Sequence, residues 1–257
     1  MDPSTFGLTG TFENCTTDML GFFSRWMSIE GKKCLCIGFD KDQLNEAVLA
    51  YQPGAVTLLT LWDEHKDAEV PGYDTVVGDI CQRTPFDDGT FDVVLTLSLL
   101  EHIHDLPAAF VEIRRILKPG GFFGSFFGPA WSCHVGHHLY AQASHPLFDF
   151  WQRGLPAHLH LRCSPEEITA WYREQGANDD EIKSVLQWFF ETNIINRVFF
   201  DDYPRLLNQH FQVVSTERIY APIAESALDD LRRLYPGNDD FSTYGGKFLV
   251  RKRAPAY

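Results

Sequence analysis

Long apolar runs are missing from this chain. No stretch of about 18 consecutive apolar residues occurs, the minimum for a helical membrane crossing. Basic charge is also scarce. Only 22 lysines and arginines stand against 35 acidic residues, a formal net charge of -13. A protein that holds a phosphate backbone by releasing counterions needs the opposite balance, so nucleic acid is excluded as a partner and a small molecule or sugar fits better. The opening residues, MDPSTFGLTGTFEN, lack the basic-then-apolar order of a secretory signal. A cytoplasmic protein with no membrane partner is therefore expected. CxxC pairs are absent too. The six cysteines, Cys15, Cys34, Cys36, Cys81, Cys133 and Cys163, form no metal-ligand or disulfide framework. Cys34 and Cys36 share one face of a strand, where apolar packing is the expected use.

What is present is a succession of short apolar strands and amphipathic helices, in a chain of 257 residues long enough to bury one full core. The most informative run is Phe91 to Phe127, FDVVLTLSLLEHIHDLPAAFVEIRRILKPGGFFGSFF. Val93 to Leu97 is too short for a buried helix and suits a strand covered on both faces. Asp105 is placed as an N-cap, Pro107 in the first turn, and Ala109, Phe110, Ile113, Ile116 and Leu117 recur at helical spacing. Lys118-Pro119-Gly120-Gly121 then predicts a stop, and Phe122 to Phe127 a second strand. Lys33 to Ile37, Ala55 to Leu61, Tyr73 to Val77, Phe211 to Tyr220 and Gly246 to Arg251 read as further strands. A helix at Gln43 to Tyr51 is predicted to open on an Asp40–Gln43 capping box. Met19, Leu20, Phe22, Phe23 and Trp26 predict an early helix that covers the sheet or lids a pocket.

The ordered elements FDVV, LEH and EI.R.LKPGG resemble the region around the fourth and fifth strands of class I S-adenosylmethionine-dependent methyltransferases, of the methyltransferase-11 type. The resemblance implies an α/β, Rossmann-like, doubly wound seven-stranded sheet, mostly parallel with an antiparallel last strand. It also implies S-adenosylmethionine as cofactor and S-adenosylhomocysteine as product. The cofactor would sit at the carboxyl ends of the strands, against Gly38 and Asp40 after the first strand and Asp63 beyond the second. Asp79 and Ile80 of a Gly-Asp motif would receive the adenine, and Thr96 and Leu97 would close the fourth strand's side. His102, of a Glu101-His102 pair, is a candidate base. The pattern also departs from the family: Cys36 stands where an acid is expected and Asp40 where a second glycine is expected. A non-catalytic binding or assembly protein is the alternative this departure raises.

Six of the ten histidines lie between His134 and His160. His137 or His138 can serve as the base that takes a proton from an attacking hydroxyl, while Trp131, His134, Tyr140 and His158 are candidates for binding a small-molecule acceptor. A metal-assisted enzyme is a further alternative, since His134 and His138 stand four apart, with His145, His158 or His160 completing a set. No carboxylate follows at ligand spacing, so no metal is expected. The third possibility is a set of hydrogen-bonded structural side chains. Ser164-Pro165-Glu166-Glu167 predicts a helix start, and a second helix follows from Asp179 or Asp180. The expected organisation is one domain over residues 1–257, with residues 129–198 inserted as a helical cap on the acceptor side. Methyl transfer to an oxygen, less readily a nitrogen, of a small molecule, sugar or natural-product intermediate is the activity this implies.

Overall fold

The computed structural model describes residues 12–39, 47–61, 72–152, 154–221 and 223–253. Asp40 and Asp63, and with Asp40 the predicted capping box, lie outside the described residues. The chain divides into two compact units. Among the described residues, a sheet unit holds those up to Phe127 together with Tyr203–Glu217 and the stretch from Gly246; a histidine unit holds Gly128–Asp202 and Arg218–Gly245. The second unit thus takes in the segment 129–198 and also the connection between the last two strands.

Seven strands form one sheet: β1 (Lys33–Ile37), β2 (Ala55–Thr60), β3 (Asp74–Val77), β4 (Phe91–Leu97), β5 (Leu117–Phe127), β6 (Gln212–Tyr220) and β7 (Thr243–Arg251). Their order is β3-β2-β1-β4-β5-β7-β6. The pairs from β3 through β5 are parallel and β7 runs antiparallel to β5, the Rossmann-like arrangement the sequence predicts. The central strands are largely apolar because both faces are covered. Phe91, Val93, Val94, Leu95 and Leu97 of β4 are all buried. Cys36 lies in register between Leu58 and Leu95. Burial holds its thiol well above the ordinary value and pushes that of Cys34 up to about 12, so both are neutral packing groups.

Helix α1 (Phe12–Phe23) packs on β5: a methyl group added at Gly124 would sit 2.5 Å from the Phe23 ring. It covers the sheet, one of the two roles predicted for it. Helix α2 (Leu106–Ile116) starts as predicted, with the Asp105 carboxylate accepting from Ala108 N at 3.0 Å, and buries Ala109, Phe110, Ile113 and Ile116. Its end differs from expectation. Strand β5 begins at once at Leu117, and Lys118-Pro119-Gly120-Gly121 becomes an irregularity inside it, with register passing from Phe91↔Leu117 to Val93↔Phe122. Glycine is required there, since Gly120 has φ +77° and a Cβ on Gly121 would meet Asp92 O at 2.9 Å. Asp92 ties three strands together, accepting from Lys33 N at 3.0 Å and Lys118 Nζ at 2.8 Å. The basic end of the chain is likewise engaged: Arg251 Nε donates to Gly120 O and Lys252 Nζ to Leu117 O.

The histidine unit contains α3 (Leu159–Arg162), α4 (Pro165–Glu174), α5 (Asp179–Leu186) and α7 (Glu225–Leu234). Helix α6 (Asp202–His210) leads into β6. The predicted capping box at Ser164 and Glu167 is present on α4, and Asn178 with Glu181 forms another on α5. Ile168 and Tyr172 of α4 meet Ile182 and Val185 of α5 in one apolar cluster with Leu139, Phe148 and Phe189. Helix α5 continues into a π-helical turn, Gln187–Glu191.

Candidate functional site

The sheet unit has a cavity of about 440 Å³ at the carboxyl ends of β1 to β4. That volume is within the range of about 300–1,000 Å³ typical of ligand sites, and the location is where doubly wound sheets bind nucleotide-like molecules. Each strand supplies part of the wall: Ile37, Gly38 and Phe39 after β1, Leu58 to Leu61 from β2, Gly78 to Cys81 after β3, and Leu99 with His102, Ile103 and His104 after β4. Gly38 is needed on two counts. Its φ is +79°, and a Cβ there would stand 2.7 Å from Leu97 O and 2.9 Å from Leu99 Cβ.

Asp79 is fixed in this wall by its own turn, its Oδ1 accepting from Cys81 N at 2.8 Å. Its carboxylate stands beside the buried side chain of Ile80 on the cavity wall. A carboxylate oxygen next to an apolar surface is what an adenine ring with its amino group requires. The described walls therefore fit the adenine end of S-adenosylmethionine. Thr96 and Leu97 do not join them: both are buried in the sheet, with Thr96 in register with Ser125 of β5. The corresponding wall is built a few residues later, by Leu99, His102 and Ile103. His102 ends a short 3₁₀ turn, Leu100–His102, and is exposed, whereas the neighbouring Glu101 is buried.

The histidine unit handles its polar residues differently. His134, His137, His138, His158 and His160 are all buried, and only His145 of this group is exposed. Backbone groups take up ring nitrogens. His138 Nδ1 lies 2.8 Å from Gly136 O, His158 Nε2 2.9 Å from Phe241 O, and His160 Nε2 2.8 Å from Trp131 O. A carbonyl only accepts, so these nitrogens carry the proton and the lone pair lies on the other one. His137 is the reverse, because Leu139 N donates to its Nδ1 at 2.9 Å. Its proton is then on Nε2, and neither nitrogen offers an open lone pair to a substrate proton. This geometry opposes His137 as the base. His138, by contrast, carries its proton on Nδ1, facing the Gly136 carbonyl.

Burial is the main cause that lowers these pKa values, to about 4 for His134 and about 3 for His160, and well below the ordinary value for His137. His158 shifts down as well, against the opposing bond to the Phe241 carbonyl. Trp131, predicted to bind an acceptor, packs edge-on against His160 at 4.5 Å and under the Arg197 guanidinium at 5.4 Å. His134 and His158 stand 6.4 Å apart, while Tyr140 is half exposed and pairs with Asp149 in an isolated bridge. Among the described residues, no three of these histidines bring ligand atoms together at metal-binding separation.

Sequence reasoning missed Cys81, Leu99, Ile103 and His104. His104 had a visible signal, as the second histidine of LEHIH, but only the return of the chain to the sheet edge brings it beside Cys81.

Strand order and cavity position together are those of the Rossmann-like methyltransferase fold. Residues 20–124 of the 257 match a family model described as a methyltransferase domain, and this match together with the structural likeness below supports a class I S-adenosylmethionine-dependent methyltransferase with S-adenosylmethionine as cofactor. An uncharacterized methyltransferase of Schizosaccharomyces pombe is 31% identical over 122 residues, 44% of each chain. A sterol 4-C-methyltransferase of Caenorhabditis elegans is 46% identical over 48 residues, 19% of this chain and 14% of the relative. The matches thus span less than half the length of these curated relatives. An S-adenosylmethionine-dependent methyltransferase from Mesorhizobium loti superposes with a TM-score of 0.56 at 12% identity, covering 95% of this chain and 99% of that one. No described helix is long and apolar enough to cross a membrane.

Proposed function

We propose that this chain transfers the methyl group of S-adenosylmethionine to a small-molecule acceptor. The observation that carries the reading is the cavity at the carboxyl ends of β1 to β4, with Asp79 and Ile80 on its wall and Gly38 at the first turn. In this reading Asp79 accepts from the adenine amino group, Ile80 packs on the ring, and Gly38 lets the backbone come close to the rest of the molecule. When bound, the cofactor supplies an electrophilic methyl group on a sulfonium. The protein's part is to orient the acceptor in line with it and to exclude water.

Oxygen is our preferred acceptor atom, because a neutral hydroxyl must lose a proton as it attacks and His102 stands on the cavity wall to take it. The matched relatives include a sterol C-methyltransferase, so carbon is the competing atom, and the acceptor screen must contain both alcohols and unsaturated lipids. The net charge of -13 favours a neutral or cationic acceptor over a polyanion. Calorimetric titration with S-adenosylmethionine and S-adenosylhomocysteine tests the reading: binding is expected for both, and the absence of heat with either sinks it.

A second reading follows from Cys36. The resemblance places an acid there, yet the residue is a buried neutral thiol in the sheet and brings no charge to the cofactor. A non-catalytic member of the fold would then bind cofactor weakly or not at all. Cofactor binding without turnover across the acceptor screen would favour this second reading.

A further inference from the structure

We propose that Asp79, Cys81 and His104 form a site for a thiophilic divalent cation of the zinc type on the wall of the cavity, and that a cation there excludes the adenine. A carboxylate oxygen, a sulfur and an imidazole nitrogen from these residues all lie within 4.8 Å of one another. Cys81 Sγ and His104 Nδ1 are 3.7 Å apart. Zinc bonds of about 2.3 Å to sulfur and about 2.0–2.1 Å to nitrogen, at a tetrahedral angle, put those atoms ~3.6 Å apart. The pair is thus spaced for one tetrahedral ion before any movement.

The two halves of the site are held by separate devices. On one side, the bond from Cys81 N to Asp79 Oδ1 locks the carboxylate relative to the thiol two residues on, with a carboxylate oxygen within reach of the same ion. On the other, His104 immediately precedes Asp105, whose side chain caps α2 at Ala108 N and whose carbonyl lies 3.7 Å from Cys81 Sγ. The positive end of α2 opposes a cation nearby. An Asp79 carboxylate and a Cys81 thiolate together neutralise a doubly charged ion, and the imidazole stays neutral as a ligand. Sulfur and nitrogen ligands select zinc-like ions over magnesium or calcium, which take oxygen. His104 is exposed, so an ion can reach the site from solvent.

Exclusion of the adenine rests on the role proposed above for Asp79, since the carboxylate that would bind the ion is the one that would accept from the amino group. The cation site itself does not depend on that role. The test uses the full chain freed of metal. Titration with Co²⁺ is expected to give thiolate-to-cobalt charge-transfer absorption that Zn²⁺ removes. The band should be lost in Cys81→Ser and in His104→Gln and kept in Cys163→Ser, with circular dichroism confirming that each variant is folded. Absence of the band in the unaltered protein, or its survival in folded Cys81→Ser, overturns the site. In parallel, S-adenosylhomocysteine is titrated with and without Zn²⁺: at least about tenfold weaker binding is expected with the ion, and no effect of the ion in Cys81→Ser. Equal affinity with and without Zn²⁺ overturns the exclusion. If the cobalt spectrum appears as expected but the metal-free protein binds neither S-adenosylmethionine nor S-adenosylhomocysteine, the methyltransferase reading fails and the cation site stands.

Discussion

The sheet unit and the histidine unit treat polar side chains in opposite ways. In the sheet unit the polar groups that matter, Asp79, His102 and His104, line an open cavity above an apolar sheet, where a ligand can meet them. In the histidine unit five histidines are buried, and the bonds they make run chiefly to backbone groups. The lesson concerns density. A crowd of histidines in sequence suggests chemistry, but a buried imidazole bonded to a carbonyl is a neutral structural piece, and the few polar groups on the cavity wall are better placed to act.

The sharpest way to break this comparison is acid. Buried histidines with depressed pKa values bind fewer protons folded than unfolded, so they contribute stability above the unfolded value of about 6.5 that is lost as pH falls toward their folded values. The slope is about 1.4 kcal/mol per pH unit for each histidine that titrates only on unfolding, on the order of 5 kcal/mol per unit if His134, His137, His158 and His160 all do so. Urea denaturation at pH 7, 6 and 5, followed by the fluorescence of Trp131, Trp171 and Trp188, should show the histidine unit weakening steeply. A flat profile would mean the histidines are open to water.

A smaller effect is expected at Glu112 in the sheet unit. Its buried carboxylate accepts from Thr84 N at 2.7 Å and from Arg115 Nη2 at 2.7 Å, and also bonds the Thr84 hydroxyl. Burial alone would raise its pKa, but these bonds outweigh it and the net shift is downward. Its contribution is therefore present above about pH 4.5 and fades only as pH falls through the lowered value, below the range where the histidines act. Glu112→Ala should cost about 3 kcal/mol by stranding Arg115 and Thr84, read as a drop in the urea midpoint of the sheet unit. Asp79→Ala should weaken cofactor binding about tenfold, or ~1.4 kcal/mol, with the urea midpoint unchanged; equal affinity would remove Asp79 from the site. The smallest change is Ser164→Ala, which opens the capping box of α4 and should cost about 1 kcal/mol in the histidine unit while leaving cofactor affinity untouched.

Much of the sheet was legible because its signals are local. KCLCI and FDVVLTL are short apolar runs, Asp105 and Pro107 mark the start of α2, and Ser164 to Glu167 spells a capping box, so each element follows from its own residues. The Gly-Asp-Ile turn was legible for the same reason. Cys81 beside His104 was not, because 22 residues of strand, turn and loop separate them and only the parallel pairing from β3 through β2 and β1 to β4 sets their two turns along one edge. Lys118 to Gly121 was read as a stop ahead of the strand and not as part of it, because the bonds that hold it come from Lys252, far along the chain: Gly120 N donates to Lys252 O, and Lys252 N to Gly121 O.

By itself, then, the sequence determined most strands of the sheet, the starts of α2 and α4 and the apolar use of the core cysteines, since these rest on periodicity and capping, while the class of cofactor followed from the resemblance of short motifs. Only the tertiary structure decided which polar residues face a cavity and which are buried against carbonyls. Burial and bonding depend on partners distant in sequence, and the charge state of a histidine depends on that burial.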